Sequence, residues 1–184
     1  SSALFEGGRS WSNLARYQRT LGEQSHAGVI FTDRRHEGGG SGTSFGTDTR
    51  LRLGQTTSLE FQVLGTYTAE PNDPNLTADL AGETFDQGKH TSIFDGEEFW
   101  GHAIYGSFER SGRHWNLDLD YWERSATFRT ENGFEPRNDQ RQGNLWTGYT
   151  FFYEEGLIER ISSGLFSGRV WDMGGTRKDE WVGL

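Results

Sequence analysis

The sequence predicts an all-β chain that forms an antiparallel, up-and-down transmembrane β-barrel, with about eight strands visible. Three observations lead to this prediction. Apolar and polar residues alternate in several stretches, aromatic residues are abundant in a chain poor in other hydrophobic residues, and short and long connections alternate. Each is expected of a membrane barrel, whose strands place one apolar face against lipid and one polar face against an aqueous lumen.

The clearest alternation of apolar and polar residues lies within 114–124. One side of this segment is apolar and the other is mostly polar or charged: Trp115, Leu117, Leu119 and Tyr121 against Asn116, Asp118, Asp120 and Trp122. Unpaired carboxylates are costly in a dry core but could line a wet lumen. Weaker versions of the same pattern occupy residues 45–53, 59–67 and 145–153.

The composition fits a chain whose strands need only one apolar face. Only 32% of the residues are hydrophobic, yet 14% are aromatic, whereas disordered chains are poor in aromatic residues. The net charge of -9 and the lack of a basic stripe argue against a nucleic-acid partner. The chain has no cysteine, which excludes disulfides and thiolate metal sites, and no apolar run near the roughly 18 residues of a membrane-spanning helix. Any membrane crossing would therefore use strands.

Turn-forming and charged clusters divide the chain into candidate strands at 11–19, 25–34, 43–53, 58–68, 99–110, 113–124, 140–153 and 159–171. Short connections fall at 21–24, 54–57, 111–112 and 154–157, and long ones at 35–42, 69–98 and 125–139. Bacterial barrels have short periplasmic turns and long extracellular loops. We treat residues 1–184 as one unit, and we expect a slice of a larger barrel because an open sheet edge cannot face lipid.

Two sets of residues are predicted to mark the faces of the barrel. The presumed lumen side carries charges of both signs: Arg16, Asp48, Arg50, Arg52, Glu60, Asp118 and Asp120. Such charges can pair across strands and stabilise a wet interior, or they can set the selectivity of a pore. Aromatic residues beside the connections are predicted to lie at the membrane interfaces, or to be ordinary strand aromatics: Tyr67, Trp115, Tyr121, Tyr153 and Trp171.

Candidate chemistry is sparse. The five histidines, His26, His36, His90, His102 and His114, form no metal-binding or hydrolase motif, and no nucleophile elbow is present. We therefore expect no catalytic residue and no cofactor. The acidic segment 69–98 is a weak calcium candidate through Asp79, Glu83, Asp86, Asp95 and Glu97, but its spacing matches no EF-hand, and a solvated loop is the preferred interpretation.

Four stretches carry a resemblance to a known family: 15–34, 44–68, 115–141 and 147–153. The most specific positions are Arg19 to Leu21, Ser25, Gly28, Thr32, Gly46, Asp48, Gly133, Phe134, Arg137 and Asp139. Through them the sequence resembles a mostly uncharacterised family of large outer-membrane proteins, which have an N-terminal domain like the family-9 carbohydrate-binding modules and a C-terminal β-barrel. Residues 1–184 hold no stretch that resembles the carbohydrate-binding-like domain, and segment 69–98 is longer than the family pattern. Any sugar-related role is therefore implied by analogy alone.

These observations predict a protein of the Gram-negative cell outer membrane with a transport, pore or surface-binding role and no catalysis of its own. Its expected partners are membrane lipid and, through the long loops, carbohydrate or another envelope protein. One alternative is a soluble, lipocalin-like barrel that binds a small ligand in an apolar interior. Another is an outer-membrane barrel hydrolase, in which His90 or His102 would act with an acidic residue at the rim.

Overall fold

A computed structural model describes residues 8–131 and 137–184 of the chain. The described residues form one antiparallel sheet of nine strands and a separate two-stranded hairpin. Each strand of the large sheet lies beside the strand of that sheet that precedes it in the chain. The predicted all-β, up-and-down architecture is confirmed.

The strands run from one end of the sheet to the other and back. Their bounds are β1 Ser10–Thr20, β2 His26–His36, β3 Ser41–Leu53, β4 Thr57–Ala69, β5 Thr84–Phe85, β6 His90–Thr91, β7 Glu98–Ser111, β8 Trp115–Arg124, β9 Gln140–Phe152, β10 Arg160–Trp171 and β11 Arg177–Gly183. The large sheet has the order β1-β2-β3-β4-β7-β8-β9-β10-β11, and the short β5 and β6 pair only with each other, within the β4–β7 connection. The same connection holds two 3-10 helices, Pro74–Leu80 and Asp86–Gly88.

The eight candidate strands are all present, and the sequence interpretation missed β11 and the small β5–β6 hairpin. Four charged residues open β11, which hides its two-sided character, and only Trp181 and Val182 supply large apolar side chains. Within residues 8–131 and 137–184 the sheet does not close, since β1 and β11 have no paired neighbour on their outer sides. Closure into a membrane barrel therefore stays a prediction.

The predicted alternation of connection length holds only in part. One end of the sheet, the turn end, carries connections 21–25, 54–56, 112–114 and 153–159, and the other, the loop end, carries 37–40, 70–97, 125–139 and 172–176. The predicted long connection at 35–42 is wrong. Strand β2 continues to His36 and β3 begins at Ser41, because the backbone pairing of the two strands extends through this polar segment as far as Arg35 opposite Ser41. Two long loops, 70–97 and 125–139, remain at the loop end.

The strand register gives the sheet two chemically distinct faces, because residues directly opposite each other share a face. On one of them, the apolar face, Phe61 lies opposite Thr49, and Leu119 lies between Phe108 and Leu145. On the other, the polar face, Arg50 lies between His26 and Glu60, and Asp120 lies between Ser107 and Asn144. The apolar face also includes Val29, Phe31, Phe45, Leu59, Val63, Ile104, Leu117 and Leu165.

Large apolar side chains of the apolar face stay uncovered. Phe61 is 48% exposed and Leu119 is 40% exposed, although both belong to central strands. Among the described residues the buried hydrophobic side chains are Phe99, Ala103 and Phe128, which lie toward the loop end of the polar side. The dry core therefore sits on the opposite side of the sheet from most of the apolar surface. In the described ranges no helix has the length and apolar character needed to cross a bilayer.

Candidate functional site on the polar face

The polar face carries a network of ion pairs. Asp48 accepts a hydrogen bond from Arg16 Nη2 at 3.1 Å and lies 3.5 Å from His26 Nε2. Arg16 belongs to β1 and Asp48 to β3, so the arginine reaches across β2, past Gly28. Arg50 Nε lies 3.2 Å from Glu60 Oε1 on the next strand. These charged side chains are half-buried to exposed. Pairing therefore offsets their partial loss of hydration, while water still reaches them.

All seven residues predicted to line a lumen lie on the polar face, but they divide into different environments. Arg52 donates to the carbonyl of Gln55 in the tight turn after β3. Asp120 accepts from Asn144 Nδ2 at 3.0 Å, and Asp118 lies opposite Glu109 and Trp146. Strands β1 to β4 thus hold pairs of opposite charge. Strands β7 and β8 instead hold three acidic side chains on this face, Glu109, Asp118 and Asp120.

At the loop end, the segment 125–131 folds back across the polar face, and we call it the inward arm. It leaves β8 through a two-way contact with His102 of β7: Ser125 N donates to the His102 carbonyl, and the His102 main-chain N donates to Ser125 Oγ, both at 3.0 Å. Phe128 then lies against Gly101 and is only 3% exposed. The arm therefore crosses β7 in close contact with its backbone.

Beyond β7 the inward arm continues over three more strands. Arg129 N donates to Thr66 Oγ1 of β4 at 3.5 Å, and Thr66 is 1% exposed. The arm passes Gly42 of β3, and Arg34 Nη1 of β2 donates to the Glu131 carbonyl at 2.8 Å. The contacts with Thr66 and Arg34 join residues more than sixty positions apart in the chain. Through these contacts the inward arm covers part of the polar face at the loop end.

The β4–β7 loop fixes the inward arm through one buried ion pair. The Glu70 side chain is 1% exposed, and its Oε1 accepts from Arg129 Nη1. The Arg129 guanidinium also lies 4.8 Å from the Phe99 ring centre and 5.2 Å from that of Phe85, within cation–π range. Burial raises the pKa of the Glu70 carboxyl, and although Arg129 opposes this shift, Glu97 and Asp95 add to it.

The predicted interface aromatics all lie near the two ends of the sheet. Tyr67 and Tyr121 lie toward the loop end on the apolar face, where Tyr67 packs 4.8 Å from Trp100 and Tyr121 packs 6.4 Å from Trp171. Trp115 and Tyr153 lie at the turn end, where Trp115 is directly opposite Tyr149. The rings therefore lie toward both ends of the sheet, and the apolar face between them carries Phe61 and Phe108 as well as aliphatic side chains.

Three of the five acidic residues considered as calcium ligands bind separate partners. Asp86 Oδ2 lies 2.9 Å from Lys89 Nζ, Glu97 Oε2 lies 3.0 Å from His90 Nδ1, and Asp95 Oδ2 accepts from Thr91 Oγ1 at 3.0 Å. Asp79 and Glu83 lie elsewhere in the same loop. In the part of the chain that the structure describes, no cluster of three or more His, Cys, Asp or Glu residues could hold a metal ion.

Four of the five histidines pair with acidic residues, whereas His114 Nδ1 lies 3.1 Å from the Thr150 carbonyl oxygen. His90 pairs with Glu97, and His102 Nε2 lies 3.2 Å from Glu123 Oε1. The nearby hydroxyl of Ser125 bonds the main chain of His102, not its imidazole. The His90–Glu97 pair lies within the β4–β7 loop, and the His102–Glu123 pair joins the neighbouring strands β7 and β8.

Sequence reasoning missed the residues that hold the inward arm, namely Arg34, Glu70, Arg129 and Glu131. In the sequence Glu70 is one of many acids in a predicted solvated loop, and its burial depends on Arg129, which is 59 positions away. The one signal in the sequence was the resemblance of 115–141 to the barrel family, and Arg129 and Glu131 lie in that stretch. Gly133 and Phe134, two of its most specific positions, lie outside the described residues.

The apolar face also carries a groove of about 610 Å³. It runs across the strands between two rows of opposed residues, Leu59, Phe108, Leu119 and Leu145 on one side and Phe61, Gly106, Tyr121 and Gly143 on the other. Gly106 and Gly143 have no side chains, so the second row rises less above the sheet and leaves space for the groove. Arg169 and Glu180 form an ion pair at 3.2 Å at one end of the groove.

Comparison of the chain with known protein families, with curated proteins and with solved structures finds no match in any of the three.

Proposed function

We propose that this sheet is part of the wall of a transmembrane β-barrel in a Gram-negative-type outer membrane. In this proposal the apolar face contacts lipid acyl chains and the polar face lines an aqueous lumen. The protein provides a passive route for solutes or a surface for binding through its loops, and it carries no catalysis of its own.

The observation that supports this proposal most is the uncovered apolar face. In water, a contiguous apolar surface larger than a few hundred Å² needs a partner, and lipid is a partner that covers every strand equally. The side chains concerned are mainly aliphatic or aromatic over the middle of the strands, with Tyr and Trp toward the two ends. The Arg169–Glu180 ion pair lies on the same face, at β10 and β11. Strands of 10 to 14 residues, β1 to β4 and β7 to β10, match what a tilted strand needs to cross the hydrocarbon.

The polar face supports the lumen half of the proposal. Paired charges such as Arg16 with Asp48 and Arg50 with Glu60 are compatible with water and unsuited to lipid. Because this face carries both positive and negative charges, it would stabilise a water-filled lumen. Neither anions nor cations would be repelled along the whole length of such a lumen. Membership in the outer-membrane family that the sequence resembles belongs to this proposal, as does an outer-membrane location.

A second candidate function is a soluble barrel that binds a small apolar ligand. The groove of about 610 Å³ on the apolar face favours it, because small-ligand pockets have volumes of this order and apolar linings. In that arrangement the apolar face would be the inside of a closed barrel. The inward arm and the charge pairs would then lie on the outer surface.

Extraction and gel mobility distinguish the two candidates. We expect the full-length protein to fractionate with outer membranes, to need detergent for solubility, and to migrate differently on a denaturing gel before and after boiling. The physical reason is that a lipid-covered barrel keeps its hydrogen-bonded sheet in mild detergent until it is heated. A protein that stays soluble and monodisperse without detergent would contradict the membrane proposal and favour the soluble barrel.

A further inference from the structure

We propose that the inward arm, residues 125–131, is a permanent constriction of the aqueous path along the polar face and limits the size of solutes that pass. This inference rests on the proposed membrane barrel and adds to it the element that sets its size limit. It concerns the loop end of the sheet, where the only dry core of the described residues is found.

The course of the inward arm supports a constriction rather than an outward loop. An extracellular loop that only extends a barrel would continue beyond the strand ends. This segment instead turns onto the polar face and contacts β7, β4, β3 and β2 through Gly101, Thr66, Gly42 and Arg34. It therefore occupies space that would otherwise belong to the lumen.

The strands beneath the inward arm have room for it because two of the crossed positions lack side chains. A Cβ atom at Gly101 would lie 2.5 Å from Phe128 Cα and 2.5 Å from the Thr127 carbonyl oxygen, which are backbone atoms that cannot rotate away. A Cβ atom at Gly42 would collide with the side chain of Glu131. Glycine on two separate strands, β7 and β3, therefore makes room for the arm to lie against the sheet.

Several anchors hold the inward arm along its length. Ser125 is bonded to β7 at the start, Arg129 is bound to Glu70 and Thr66 in the middle, and Glu131 is bound to Arg34 at the end. His36 Nε2 also lies 3.4 Å from Glu131 Oε2. A segment tied at its start, middle and end narrows the path at all times, unlike a lid that opens.

Solute uptake into liposomes tests this inference. The full-length protein is reconstituted, and osmotic swelling is compared for a small sugar, arabinose, and a large one, stachyose. Replacing residues 127–130 with Gly-Ser-Gly-Ser should raise the stachyose rate relative to the arabinose rate several-fold, because the arm would lose the bulk of Phe128 and the Arg129 anchor at its middle. The same replacement at residues 154–157, in an exposed turn-end connection, is the matched control and should leave the ratio unchanged.

A smaller change on β7 provides a second test. Gly101→Ala should displace the inward arm and raise the same ratio, whereas Gly106→Ala should not, since a Cβ there would meet its nearest atoms at an ordinary 3.9 Å. Heat-modifiable mobility identifies the variants that fold. An unchanged ratio in folded arm variants would overturn the inference, as would failure of both the parent and the arm variants to admit arabinose. Neither result would affect the membrane proposal, which extraction and gel mobility test separately.

Discussion

Arg129→Ala is expected to cause a large loss of folding stability. The substitution leaves the Glu70 carboxylate, 1% exposed, without its ion-pair partner, and removes the guanidinium from the rings of Phe85 and Phe99. Breaking a buried pair by removing one partner costs about 3–5 kcal/mol. Because the Arg129 side chain is 31% exposed, we expect the loss in the free energy of unfolding to fall near the lower end of that range. Urea titration of the refolded protein measures it.

A double substitution separates the lost charge pair from lost packing. If the uncompensated Glu70 carboxylate causes the loss, Glu70→Gln should recover much of the stability of Arg129→Ala, because a neutral amide is cheaper to bury. Equal stability of the single and double variants would attribute the effect to packing against Phe85 and Phe99 instead.

The stability of the Arg129→Ala variant should also depend on pH in a defined direction. Burial raises the pKa of Glu70 in the folded protein, and removing Arg129 removes the interaction that opposes this shift. A raised carboxyl pKa means that folding favours the protonated form, so the group's contribution is greatest at low pH and is lost as pH rises through the folded pKa. The deficit of the variant relative to the parent should therefore be smaller at about pH 5 than at about pH 8. A deficit that grows on acidification would contradict the assignment to Glu70.

Leu119→Arg is expected to have the next largest effect. Leu119 lies at the middle of β8 on the apolar face and is 40% exposed, which places it at the centre of the proposed lipid contact. Arginine on the lipid face of a membrane barrel costs about 2–4 kcal/mol at the bilayer midplane. Urea titration of the protein folded into phospholipid vesicles should show a loss of this size.

Ser107→Arg on β7 is the matched control, because it places the same side chain on the polar face. Ser107 lies between Glu60 and Asp120 in the register, so a guanidinium there would have a carboxylate on each neighbouring strand within reach. We expect a change of less than about 1 kcal/mol, as for a solvated ion pair. Equal losses for the two variants would argue that neither face contacts lipid.

The sequence predicted the strands well because their pattern is local. Two-sided alternation in 114–124 depends only on neighbouring residues, and the structure places Leu119 and Asp120 on opposite faces as the alternation requires. The same reasoning put Arg16 and Asp48 on one face, although only the register could show that Arg16 reaches Asp48 across an intervening strand. Strand β11 was not predicted because Arg177 and the charged residues after it resemble a loop.

The inward arm could not be predicted because its determinants are far apart in the chain. Thr66, Glu70, Gly101 and Arg129 carry no shared motif, and the burial of each depends on the others. Glycine at 101 looks like a strand irregularity until the backbone of Phe128 is found against it. The length of connection 125–139 indicated a loop, but a length alone does not say whether a loop points away from the sheet or folds onto it.

Spin labels on neighbouring residues of β8 test most directly whether the apolar face contacts lipid. The chain has no cysteine, so Leu119→Cys and Asp120→Cys each create a single attachment site. In vesicles, we predict that the label at position 119 collides mainly with oxygen, which concentrates in the hydrocarbon, and the label at 120 mainly with a water-soluble nickel chelate. A label at 119 that is shielded from both reagents, together with a label at 120 in bulk solvent, would place the apolar face in a protein interior and contradict the proposal.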